Sequence, residues 1–70
     1  MTLPDITWII RFTHRGGETE EVEHTAESAA REHFACFGIG DADVYRRVEL
    51  VEYHWHSHSE RLLATLELPA

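Results

Sequence analysis

Residues 6–24 read ITWIIRFTHRGGETEEVEH, and the alternation in the first half of this stretch decides the fold. Ile6, Trp8, Ile10 and Phe12 share one parity; Thr7, Ile9, Arg11 and Thr13 share the other. That is the period of a strand with one buried face, and residues 5–15 are predicted to form it. Gly16-Gly17 interrupts the pattern with a tight turn. A three-residue loop of Gly16, Gly17 and Glu18 sets Phe12 opposite Val22 and Arg11 opposite Glu23. This register adds Val22 to the core and gives Arg11 a cross-strand charge partner. A two-residue Gly-Gly loop sets Val22 against Arg11 and is the poorer choice. Residues 19–24 then form a short edge strand whose glutamates oppose sheet-to-sheet aggregation.

Downstream the period changes. Ala26, Ala29, Ala30, His33, Phe34 and Phe37 recur at helical spacing, which predicts a three-turn amphipathic helix over 26–37. Thr25 is the candidate N-cap, Glu27 suits the positive end of the helix dipole, and Gly38 is a C-terminal stop. Residues 38–43 read as a loop. Val44–His56 and Arg61–Leu68 are rich in strand-forming residues and alternate again. A Ser57-His58-Ser59-Glu60 loop places Trp55 opposite Leu62, Tyr53 opposite Ala64 and Val51 opposite Leu66. Because Val48 and Leu50 have the other parity, a bulge is expected near Glu49–Val51.

The predicted fold class is α+β: a single domain over 1–70, ordered ββαββ, with one helix on one face of a small antiparallel sheet. If the Glu-rich segment does not pair, the order becomes βαββ. Trp8, Ile10, Phe12, Phe34, Phe37, Tyr53, Trp55 and Leu66 are the expected core. The uncovered face is expected to carry Ile9, Arg11, Leu50, Glu52, Leu63, Thr65 and Glu67. Ile9, Leu50 and Leu63 are its candidate secondary contact surface, for a partner or a second copy of the chain. Scattered surface hydrophobes are the bland alternative.

Charge narrows the choice of partner. The 70 residues hold 13 acids against six arginines, with no lysine, for a formal charge of −7. Glu18, Glu20, Glu21, Glu23 and Glu27 fall in one short run, and Asp41 and Asp43 follow the helix. A small domain this acidic is repelled by nucleic acid and anionic membrane and is steered toward basic surfaces. The acids either keep an edge strand soluble or bind a basic partner, and these seven residues are the candidate partner-binding set. Six histidines add positive charge as pH falls through about 6.5, so any charge-driven complex is expected to weaken in mild acid.

Other chemistry is weakly represented. His54, His56 and His58 form H-x-H-x-H. Alternate strand residues share a face about 6.7 Å apart, wide for two ligands of one ion, and a solvated hairpin end is the simpler reading. A histidine-rich metal-binding module completed by Glu52 or Glu60 is the alternative function. Cys36 and His33 share a helix side, but no orienting acid, oxyanion hole or deep cleft accompanies them. No enzyme activity and no cofactor are expected. Trp8, Trp55, Tyr45 and Tyr53 lack the basic groove that a nucleic-acid stacking platform needs. With neither a basic n-region nor an apolar h-region at Met-Thr-Leu-Pro-Asp, no signal peptide is expected; no apolar run reaches the roughly 20 residues of a membrane span, and Cys36 is the lone cysteine. A cytoplasmic setting is expected. The absence of Asn, Gln and Lys resembles the codon bias of a GC-rich bacterial or phage source.

In size, charge and layout, with the Glu18–Glu27 run as its local carrier, the chain resembles small acidic phage-encoded inhibitors, anti-CRISPR proteins in particular. That resemblance implies a non-enzymatic inhibitor acting in the bacterial host cell. It would occupy a basic, nucleic-acid-binding surface of a larger protein or complex and mimic the nucleic acid. A homodimeric structural domain is the third reading.

Overall fold

The computed structural model, which describes residues 5–69, has a strand or helix at the middle of each of the five expected segments, with shifted ends. Met1–Pro4, which bear on the reading of the N-terminal start, and Ala70 lie outside the described residues. Strand β1 (Ile6–His14) pairs antiparallel with β2 (Thr19–His24), helix α1 (Glu27–Ala35) follows, and β3 (Tyr45–His54) and β4 (Ser59–Glu67) form a second hairpin. The four-stranded antiparallel sheet has the order β2-β1-β3-β4. The chain therefore leaves edge strand β2, crosses over β1 through α1 and enters β3, the ββαββ form of the expected α+β fold.

The first hairpin corrects the expected register. Arg11 pairs with Glu21, Ile10 with Val22 and Phe12 with Glu20. The loop has the expected three residues but consists of Arg15, Gly16 and Gly17, closed by Gly17 N–H to His14 O at 2.9 Å and His14 N–H to Glu18 O at 2.7 Å. Gly17 has φ +99°. A three-residue hairpin loop ends in a left-handed residue, which glycine adopts without strain. Placing Gly17 last slides the loop one residue toward the N-terminus and the register by two. Parity survives, so Arg11 still meets a glutamate.

The helix is shorter than its periodicity suggested. Its N-cap is Ala26 rather than Thr25, with no side-chain cap bond, and it ends at Ala35. Gly38 is extended, not left-handed, and opens a 3-10 turn over Ile39–Asp41. Asp41 holds that turn by accepting the Gly38 N–H at 2.9 Å. Ala30 is fully buried, and His33, Phe34 and Phe37 are half-buried, whereas Ala26 and Ala29 at the frayed end are exposed.

The second hairpin holds the main departure from expectation. Its four-residue loop is Trp55–His58, with His54 paired to Ser59, Tyr53 to Glu60 and Val51 to Leu62. The β1–β3 ladder runs unbroken from Ile6↔His54 to Thr13↔Arg47, so β3 keeps a strict alternation. Val48 and Leu50 face the helix, while Val51 and Tyr53 face the other way. The irregularity does lie beside Leu50/Val51, but Leu50↔Ala64 and Val51↔Leu62 leave Leu63 as the extra residue. The bulge is thus on β4. β3 is apolar on both faces, and its change of parity is not a change of face.

Ile10, Phe12, Ala30, Val48, Leu50 and Leu68 form the buried cluster, with Trp8, Phe34, Phe37, Tyr45, Leu63 and Leu66 packed against it. Tyr53 and Trp55, expected in this core, lie on the opposite face. Leu50, expected on the uncovered face, is 1% exposed within the core. Leu63 packs on the core as well, which leaves Ile9 as the member of the proposed apolar contact set on the uncovered face. Arg15 ties the last strand down by donating to Ala42 O at 2.7 Å, to Leu68 O at 3.0 Å and to Pro69 O. Nine helical residues span about 13.5 Å, against roughly 33 Å for the ten residues of β3. One short helix therefore leaves much of the sheet to other cover.

Candidate partner-binding face

Thr7 and Val51 are 2% and 1% exposed, although among the described residues no helix lies on their side of the sheet. At Thr7 the contacts come from side chains of the face itself. Trp55 donates its indole N–H to Thr7 Oγ1 at 2.8 Å, and that hydroxyl donates onward to Glu23 Oε2 at 3.1 Å. The relay exists because Thr7 and Ile9 share a parity on β1 with Tyr53 and Val51 on β3. It fixes both the Trp55 ring and the Glu23 carboxylate. Tyr53 stands edge-on to Trp55 with centroids 4.7 Å apart.

Arg11 leans across the same face. Its Nε donates to Glu21 at 2.8 Å, and its two terminal nitrogens donate to Glu60 of β4 at 3.2 and 3.3 Å. These carboxylates hold the guanidinium above its ordinary pKa, Glu60 contributing most and Glu21 next. Ile9, Arg11, Glu21, Glu23, Tyr53, Trp55 and Glu60 together line a cleft of about 400 Å³. Among the described residues three carboxylates thus line the cleft with one guanidinium, and Glu23 is held by the neutral Thr7 hydroxyl.

Strand β2 is the outer edge of this face, and all its residues from Thr19 to Glu23 are exposed. Glu21 and Glu23 point into the cleft. Glu20 has the helix-side parity and lies 3.5 Å from His14 Nε2, and Glu18 is exposed at the hairpin turn. The other acids of the expected set are placed elsewhere. Glu27 pairs with Arg31 at 2.7 Å along the helix, Asp41 holds the 3-10 turn, and Asp43 is exposed beyond it. The structure gathers Glu21 and Glu23 with Glu60, and it separates Glu27 and Asp41 from them. Tyr53 and Trp55 escape the sequence reading because a bulge assigned to β3 puts them in the core, and Glu60 because the loop assigned to 57–60 takes it out of β4, where it pairs with Tyr53. The signal that finds them is the shared odd parity of Thr7, Ile9, Val51, Tyr53 and Trp55.

His54, His56 and His58 do not converge on one site. His54 bonds Glu52 at 2.7 Å, while His56 and His58 are exposed in the loop. The Glu52 carboxyl is held below its ordinary pKa by the His54 hydrogen bond foremost and by the charge of Arg61, with burial opposing. Among the described residues no group of three or more His, Cys, Asp or Glu side chains is placed to hold a metal ion. His33 Nδ1 lies 2.9 Å from His24 Nε2, and burial, then the nearby His24, keeps the His33 pKa below its ordinary value. Cys36 is exposed, with its thiol toward Glu32 O at 3.3 Å. Among the described residues no helix is long and apolar enough to cross a membrane. Comparison with known proteins finds no matching family model, curated protein or solved structure.

Proposed function

We propose that the protein is a non-enzymatic interaction protein that binds a basic, nucleic-acid-binding surface of a larger partner and inhibits it. The observation that carries this reading is the exposed glutamate edge of β2. Glu21 and Glu23 project from one face of the strand, two rises or about 6.8 Å apart, and Glu20 projects from the other. Carboxylates repeated along an exposed edge present regularly spaced negative charge, as a phosphate backbone does. Glu18 extends the row at the hairpin turn, and Asp43 adds charge beyond the helix. Phage-encoded inhibitors acting inside a bacterial host are the class this fits, an anti-CRISPR role among them.

The test is capture of a partner from bacterial lysate, followed by competition with duplex DNA. Glu20, Glu21 and Glu23 changed together to Arg should leave the fold intact, because exposed ion pairs contribute roughly 0.2–1 kcal/mol each. Circular dichroism checks that point. The reversed protein should no longer capture the partner, duplex DNA should displace the wild type, and binding should weaken as salt rises. Capture that is indifferent to salt and to the triple reversal refutes the reading.

A further inference from the structure

The uncovered sheet face carries a finer recognition device than its charge alone. We infer that the cleft between β2 and the Trp55–His58 hairpin takes a single arginine side chain of the partner, its guanidinium on Glu23 and its plane against Trp55. This rests on the reading of the acidic face as partner-binding but makes a separate structural demand.

Four observations select this occupant. The lining is unbalanced, with Glu21, Glu23 and Glu60 against Arg11 alone. Within the same cleft, Glu21 and Glu60 already hold one guanidinium by Nε and by a forked pair of terminal nitrogens, so the carboxylate spacing suits that planar donor. The remaining carboxylate, Glu23, is oriented by Thr7 and lacks a charged partner among the described residues. Trp55 is 45% exposed, yet its ring is pinned by the bond to Thr7, and a fixed indole face attracts a cation. The volume of about 400 Å³ falls in the lower part of the range of small-ligand clefts, roughly 300–1,000 Å³. A side chain fits it better than a folded element does.

Such a site is preorganised. The Trp55–Thr7–Glu23 relay fixes the aromatic wall and the anionic end before anything binds, which reduces the ordering cost of association. The edge position of β2 lets the partner's main chain pass outside the sheet while one side chain enters.

The probe is an acetylated, amidated Gly-Arg-Gly peptide, titrated into the ¹⁵N-labelled full chain at low salt. Its citrulline counterpart, with a neutral urea of the same shape, and Gly-Lys-Gly are the comparison ligands. The arginine peptide should shift the Trp55 indole N–H and the Glu23 amide, while the Trp8 indole stays still. Citrulline should give no shift, and Gly-Lys-Gly should bind more weakly. Glu23→Gln should weaken the arginine peptide roughly tenfold, as for loss of one charge-assisted hydrogen bond. Trp55→Leu should weaken it as well, Glu20→Gln should weaken it far less than Glu23→Gln does, and Glu32→Gln should leave it unchanged. Equal binding of citrulline, or no shift at Trp55, overturns the cleft. So does equal sensitivity to Glu20→Gln and Glu23→Gln, which would show diffuse attraction along β2 and leave the edge reading standing. A Trp55 shift that depends on protein concentration, with dimer mass in light scattering, assigns the face to a second copy and overturns the proposal.

Discussion

At His33 the packing of α1 on β1 disfavours the charged imidazole. The ring meets Phe12 edge-on at 6.1 Å and tilts against Phe37 at 5.5 Å, while its Nδ1 shares one proton with His24 Nε2 across 2.9 Å. That bond needs one ring to donate and the other to accept. The folded pKa of His33 lies below the ordinary 6.5, first through burial and then through His24. The unfolded chain therefore takes up the proton first, and stability contributed above pH 6.5 is lost as pH falls through the folded value. Glu52 acts in a lower window. Its depressed pKa supplies stability above about pH 4.5, lost with further acidification. Denaturant melts between pH 7 and 5 should show wild-type stability falling faster than that of His33→Leu. Parallel curves would mean that the imidazole pair has no energetic weight in the fold.

Hairpin geometry explains which elements were legible. The β1 alternation and the helix stripe each repeat several times, so β1, α1 and their shared face follow from periodicity alone. The two hairpin registers depend instead on which residue turns left-handed. At the first turn that residue is Gly17, and at the second it is His58, with φ 52°. Two adjacent glycines leave the first choice open, and a histidine gives no warning of the second. The same test separates the glycines by experiment. An alanine at position 17 must adopt φ near +99°, at about 1–2 kcal/mol, and for a domain this size that lowers Tm by roughly 4–8 °C per kcal/mol. At Gly16 a Cβ meets nothing within 4 Å, so Gly16→Ala should shift stability by less than about 0.5 kcal/mol. Equal effects of the two substitutions would place the loop one residue later, in the register first expected from the sequence.

The whole molecule has two unlike faces. The helix side buries Ile10, Val48 and Leu50, and the other side combines glutamates with Tyr53 and Trp55 around a self-covered Thr7. The acidic edge was legible, because Glu18, Glu20, Glu21 and Glu23 directly follow a Gly-Gly turn and have few places to go. The aromatic wall was not, because Val51, Tyr53 and Trp55 read equally well as core until β3 is known to be apolar on both faces. Hydrogen–deuterium exchange of the chain, free and bound to its captured partner, reads both faces at once. Binding through the acidic face should slow exchange over residues 18–24 and 53–60 and leave 27–37 unchanged. Protection confined to α1, with β2 exchanging as in the free protein, would contradict it.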